Sequence, residues 1–84
     1  MDRLKFKTTR IMFGTMSGVS LYEYDDGMIS IENVCIFNKQ DLVTISGVGT
    51  TVRFIGNGVV LSEYTLSKHI PTTFIMNLKE YFGI

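Results

Sequence analysis

The sequence has few of the residues that build disulfides, zinc sites and catalytic centres. Cys35 is its only cysteine and His69 its only histidine. One chain therefore forms neither an internal disulfide nor a Cys/His zinc site. Cys35 lies between Val34 and Ile36, whereas a reactive thiolate requires an electropositive setting. We therefore expect a buried structural cysteine, a solvated histidine before Pro71, and a protein that is not an enzyme and has no metal or cofactor.

The chain also lacks net charge and long apolar segments. Its eight basic and eight acidic residues give a formal net charge of zero, so composition does not favour nucleic acid as a partner. No stretch approaches the ~20 apolar residues of a membrane-spanning helix. Residues 1–10 carry charge from Asp2 onward and lack the apolar core of a signal peptide. We expect a cytoplasmic protein without a membrane span, of bacterial or phage origin.

The size of the chain favours self-association. Its 84 residues predict one domain, 1–84, which is below the usual ~100–150 residues. Hydrophobic residues make up 45% and charged residues only 19%, against ~25% charged residues in an average soluble domain. A domain this small without disulfide or zinc depends on tight packing or on oligomerisation. We therefore predict a homo-oligomer.

Apolar and polar residues alternate with a period of two, which is typical of half-buried strands. The predicted strands are 11–13, 18–24, 28–37, 42–46, 51–55, 59–64 and 72–76. Turns are predicted at 25–27, 47–49 and 56–58, each of which contains glycine. A bulge or bend is predicted at Glu32-Asn33, where the alternation changes face, and Pro71 is expected at a strand start or a sheet edge. Residues 77–83 are compatible with one helical turn or with a continued strand.

These features predict an all-β fold, with an antiparallel meander, a small barrel or a sandwich, and at most a short C-terminal helical turn. Strands are short, follow one another about every ten residues, and are joined by glycine-containing turns. That spacing is typical of small β domains.

Charges of opposite sign lie in different segments of the chain. Residues 1–10 are mostly basic, whereas residues 23–32 are acidic, and Tyr22 and Tyr24 lie just before the turn. One interpretation is a solvated terminus and a solvated turn. The other is a pair of complementary surfaces that meet between subunits or face a partner protein. The candidate interaction surface consists of Arg3, Lys5, Lys7, Arg10, Tyr22, Glu23, Tyr24, Asp25 and Asp26.

The stretch VTISGVGTTVRFIGNGVVLSEYT, residues 43–65, resembles the core of the YabP/YqfC family of small sporulation-associated proteins. Paired hydrophobic positions separated by one residue, followed by a glycine and another such pair, carry the resemblance. These positions are Val43, Ile45, Val52, Phe54, Gly56, Val59 and Leu61. The resemblance implies a non-enzymatic bacterial protein that assembles with partners at the developing spore, and it implies no catalytic residue.

Two further segments resemble the Sm motifs of RNA-binding rings. They are YDDGMISIENV, residues 24–34, and FIGNGVV, residues 54–60. The resemblance implies a ring that binds single-stranded RNA through stacking and basic groups. Ile29 and Ile55, however, occupy the positions of the asparagine and arginine that contact RNA in that family.

Three functional hypotheses follow from the sequence. The first is a β-sheet module that binds a partner protein or itself. The second is an Sm-like RNA binder. The third is a mobile-element protein that inhibits a host factor or sequesters a small molecule.

Overall fold

The computed structural model describes residues 5–84. This part of the chain contains seven strands and one α-helix. They are β1 (Phe6–Met12), β2 (Gly18–Tyr24), β3 (Met28–Ile31), β4 (Cys35–Asn38), β5 (Thr44–Val48), β6 (Thr51–Ile55), β7 (Val60–Thr65) and α1 (Thr72–Phe82). The strands form two antiparallel sheets, β1-β2-β3-β4 and β5-β6-β7. The predicted all-β meander is confirmed, and the two sheets do not close into a barrel within residues 5–84.

The first sheet is a four-stranded meander whose inner face is apolar. β2 has the predicted bounds, and its alternation buries Val19 and Leu21. The predicted turn after β2 is also confirmed. Gly27 there has φ 91°, a conformation that costs glycine little, and its N–H donates to the Tyr24 carbonyl at 2.9 Å.

Glu32-Asn33 is a full chain reversal, so the predicted single strand over 28–37 was wrong. Both residues have positive φ, 52° and 61°, and the N–H of Val34 donates to the Ile31 carbonyl at 3.1 Å. The reversal divides the segment into β3 and β4, which pair with each other. It also explains the change in alternation, because Ile31 is buried whereas Val34 is 71% exposed.

The second sheet begins two residues later than predicted. β5 extends to Val48, and the reversal into β6 lies at Gly49-Thr50, where Gly49 has φ 61°. Gly47, predicted in a turn, therefore lies inside β5. A Cβ atom at this position would come within 3.0 Å of the Ile75 side chain, so glycine allows the helix to approach the strand closely.

The end of the chain is the main difference from the sequence prediction. Residues 72–76 are not a strand, and the helix has 11 residues instead of a single turn. Pro71 precedes the first helical residue and does not lie at a sheet edge. The helix buries Phe74 and Leu78, which are one turn apart, and ends at Gly83 with φ 72°.

The helix and both sheets enclose one core. β4 contacts β7, while α1 contacts β1 and β5 on the other side. The rings of Phe37 and Phe54 stack across the two sheets with centroids 4.6 Å apart, and Phe82 of the helix packs against both. Within residues 5–84, no helix combines the length and the apolar character that crossing a bilayer requires.

Candidate functional site

Strand pairing brings the basic and acidic segments together in one chain. In the β1–β2 register, Lys7 lies opposite Glu23 and Phe6 lies opposite Tyr24. The N–H of Asp25 donates to the Lys5 carbonyl at 3.0 Å, which extends the pairing to the turn. The contact between the basic stretch and the acidic segment, which one interpretation of the sequence places between subunits, is therefore already formed within a single chain.

The remaining members of the candidate interaction surface lie apart from this contact. Arg10 lies opposite Ser20 and donates to its Oγ at 3.4 Å, away from the acidic turn. Asp26 accepts from the N–H of Met28 at 3.1 Å, so its carboxylate orders the turn. Arg3 lies outside the residues that the structure describes.

Glu23 is the centre of a polar cluster on the inner face of the first sheet. Its side chain is only 18% exposed. It accepts from the Tyr81 hydroxyl at 2.5 Å and from the Lys39 Nζ at 3.1 Å, and the Lys7 Nζ lies at 3.8 Å. The hydrogen bond from Tyr81, followed by the contributions of Lys39 and Lys7, lowers the pKa of Glu23. Burial, together with the bond to Glu23, raises the pKa of Tyr81 to about 12.

An open groove of about 730 Å³ lies above this cluster. It is lined by Lys5, Phe6, Lys7, Glu23, Tyr24, Asp25, Gly27, Asn38, Lys39 and Gln40. Its volume is within the ~300–1,000 Å³ range of small-molecule sites. The groove presents amino groups, carboxylates and amides together, so it suits a partner surface that carries both charge and hydrogen-bonding groups.

Aromatic side chains cover the opposite face of the same strands. Phe6 is 54% exposed, and its ring centroid lies 5.6 Å from that of Tyr22 and 5.4 Å from that of Tyr24. Ile36, on the same face of β4, is 53% exposed. Tyr22 and Tyr24 are half-buried. Aromatic rings at a surface, some of them with a polar hydroxyl, are typical of protein-binding surfaces. We call Phe6, Tyr22 and Tyr24 the aromatic face.

Sequence reasoning missed Lys39 and Tyr81. Lys39 lies between two predicted strands, and the structure shows it at the start of a 3₁₀ turn, Lys39–Asp41, capped by the Asn38 side chain. Tyr81 comes from α1, which is distant in sequence from Glu23. No local pattern signals the contact of either residue with Glu23. Tyr81 reaches Glu23 only when α1 packs against β2, and Lys39 does so only when the end of β4 lies near β2.

Cys35 and His69 do not belong to this surface. Cys35 is fully buried and unpaired, as expected for a structural cysteine, and burial raises the pKa of its thiol. His69 is exposed in the loop before Pro71, which agrees with a solvated histidine.

The Tyr81 hydroxyl is expected to stabilise the fold through the ionised Glu23. Tyr81→Phe should cost about 1–2 kcal/mol at neutral pH, because it removes a hydrogen bond to a charged group. A carboxylate with a lowered pKa stabilises the fold above its ordinary value of 4.5, and this contribution is lost as pH falls through the lowered pKa. The difference between the two proteins in urea unfolding should therefore shrink in acid.

Tyr22→Phe is the matched control, since the Tyr22 hydroxyl makes no hydrogen bond to any side chain in residues 5–84. The control should change the free energy of unfolding by less than about 0.5 kcal/mol. A Tyr81→Phe effect that is equally large at acidic and neutral pH would show that the hydroxyl does not act through Glu23.

Comparisons of the chain with protein-family models, with curated proteins and with solved structures gave no match. The resemblances to the YabP/YqfC family and to the Sm motifs therefore rest on the quoted residues alone. In the fold, the first Sm-like segment spans β3 and lies in the first sheet, whereas the second spans the β6–β7 turn and lies in the other sheet.

Proposed function

We propose that the protein is a non-enzymatic binding and assembly module that acts through contact with a partner protein or with itself. The observation that carries this proposal is the aromatic face beside a charged groove, both at the end of the β1–β2 pair that lies next to the turn between β2 and β3. Apolar anchors next to polar groups are the usual composition of a protein interface.

The surface is supported by rigid elements. β1 and β2 pair along seven positions, and α1 is joined to β2 by the bond between Tyr81 and Glu23. A preorganised surface loses little conformational entropy on binding, so more of its contact energy appears as affinity. This geometry favours recognition of a folded partner over wrapping around a flexible one.

The charges of the groove indicate the chemistry of the partner. Lys39 and Lys7 are held by Glu23, while Lys7 is 69% exposed at its side chain and still presents its amino group to solvent. Lys5 is also exposed. We therefore propose a partner that places a carboxylate in the groove and an apolar side chain on Phe6. An assembly factor for bacterial spores is the specific form of this proposal that the YabP/YqfC resemblance supports.

Partner capture with surface variants tests the proposal. The immobilised protein is incubated with extract of the cells that produce it, and retained proteins are quantified by mass spectrometry. We expect one or more proteins to be retained at least about tenfold less by Phe6→Ser/Tyr24→Ser, which corresponds to ~1.4 kcal/mol or more of lost contact energy.

The matched control is Val43→Ser/Val48→Ser, which removes two apolar residues about as exposed as Phe6, 57% and 54%, just before β5 and at its end. This control should retain the same proteins as the unmodified chain. Retained proteins that are insensitive to the aromatic-face variant would contradict the proposal. Nanomolar, salt-sensitive binding of single-stranded RNA would favour the Sm-like hypothesis instead.

A further inference from the structure

We propose that two copies of the chain form an antiparallel homodimer in which β1 pairs with β1 around a two-fold axis at Thr8. The proposal rests on the assembly role proposed above and names its interface. Its basis is the set of unpaired backbone groups on β1, which lies at the edge of the first sheet.

The register shows which backbone groups of β1 face outward. The N–H of Asp25 donates to the Lys5 carbonyl, and the N–H of Phe13 donates to the Ser17 carbonyl. In an antiparallel pair, hydrogen-bonded positions alternate with positions whose backbone groups point away. The odd-numbered residues of β1 therefore bond to β2. The N–H and carbonyl groups of Phe6, Thr8 and Arg10 point to the free edge.

The helix α1 occupies one end of the free edge of β1. The Nδ2 of Asn77 donates to the Met12 carbonyl at 2.7 Å, which satisfies the next outward-facing acceptor. At the other edges, β4 lies against β7 and β5 lies against α1; α1 also contacts β1, beside residues Thr9 to Met12. The open part of β1 is thus the segment from Phe6 to Arg10, where unpaired backbone groups favour the addition of another strand.

Only one symmetric register uses all three outward positions. With the axis at Thr8, Thr8 pairs with itself and Phe6 pairs with Arg10 of the second copy, and each of these pairs exchanges two hydrogen bonds. An axis at Lys7 places two lysines directly opposite each other, which is unfavourable. An axis at Thr9 places Phe6 opposite Met12, whose outward carbonyl already accepts from Asn77.

The same register gives favourable side-chain contacts on both faces of the sheet. Arg10 of the second copy lies opposite Phe6, whose exposed ring can accept a cation over its face. Lys5 of the second copy lies opposite Ile11, beside a groove of about 330 Å³ between β1 and α1. Glu80 lines this groove and belongs to no ion pair within residues 5–84. Each Lys5 thereby gains a carboxylate of the other copy.

The pairing of Lys5 with Glu80 of the other copy favours a second copy of the chain over another extended peptide. The strand carries Lys5, Lys7 and Arg10, yet the chain has no net charge, so two copies do not repel each other at long range. One pair of short strands is expected to bury less than the ~1,200 Å² of a standard complex, so we expect a dissociation constant on the order of micromolar.

Disulfide trapping tests the register. In a Cys35→Ser background, Thr8→Cys places two thiols across the axis with Cα atoms about 5.5 Å apart, within the ~4.4–6.8 Å that a disulfide requires. We expect a covalent dimer on mild oxidation. In the matched control, Phe6→Cys, the two cysteines lie about 13 Å apart along the strands and should not cross-link. Cross-linking of both variants to the same extent would overturn the proposed register.

Sedimentation distinguishes dimerisation through the β1 edge from self-association through any other surface. Thr8→Pro removes an outward N–H while leaving the ladder with β2, and it should be monomeric at concentrations where the unmodified chain and Thr8→Val are dimeric. A dimer that persists in Thr8→Pro would overturn this interface but not self-association. A monomeric unmodified chain that gives no Thr8→Cys cross-link would overturn the homodimer, and partner capture would still decide the proposed function.

Discussion

Phe54→Ala is expected to destabilise the protein by about 3–5 kcal/mol, as is typical when a fully buried phenylalanine is truncated. Phe54 has no exposed surface, and its ring stacks on Phe37 and packs against Phe82, so it joins both sheets to the helix. A domain of this size has a total stability of only about 4–13 kcal/mol. The variant should therefore lose a large fraction of its total stability, which urea titration followed by circular dichroism would measure.

Phe6→Ala is the matched control for this prediction. It removes the same side chain from a position that is 54% exposed, and it should cost no more than about 1 kcal/mol. Equal destabilisation by the two substitutions would show that Phe54 does not hold the sheets and the helix together.

Met76→Pro is expected to cost about 3 kcal/mol or more, because proline inside a helix removes a backbone donor and clashes with the carbonyl four residues earlier. Met76 is the fifth residue of α1 and is 64% exposed, so its side chain contributes little to packing. Breaking the helix would separate the buried Phe74 and Leu78 from the sheets. The loss should appear both in urea unfolding and in the helical signal near 222 nm.

Met76→Ala is the control, since alanine keeps the backbone donor and favours a helix. It should leave the free energy of unfolding within about 0.5 kcal/mol of the unmodified value. If proline and alanine are tolerated equally well, residues 72–82 are not a helix in solution.

Local patterns predicted most of the strands. Alternation located β2 to the residue, because Val19 and Leu21 must share the buried face, and glycine marked the turn at Gly27. The pattern over 28–37 correctly located the position at which the buried side of the chain changes. It did not show that a chain reversal causes the change. A bulge and a reversal both exchange the two faces, and the sequence does not distinguish them at Glu32-Asn33.

The helix α1 could not be predicted either, because its local sequence does not distinguish a helix from a strand. The segment TTFIM, residues 72–76, has threonine, phenylalanine and isoleucine, which favour strands when considered alone. Packing decides the outcome, because a helix places Phe74 and Leu78 on one side, against the core between β1 and β5. Tertiary burial outweighs a weak local propensity over so short a segment.

The candidate site was predicted in parts. The sequence identified a basic stretch around Lys7 and an acidic segment around Glu23, because both are runs of like charge. It did not show that they pair within one chain, since strand register is a property of the assembled sheet. Tyr81 and Lys39, which hold the Glu23 carboxylate, come from distant elements and have no local signal.

By itself, then, the sequence determined the class of fold, the positions of most strands, the burial of Cys35 and the segregation of charge, all of which depend on the order of neighbouring residues. The tertiary structure decided the helix, the reversal at Glu32-Asn33, the polar cluster around Glu23 and the open edge at Thr8. Each of these depends on which distant segments come into contact, and contact between distant segments is set by how the core closes rather than by local pattern.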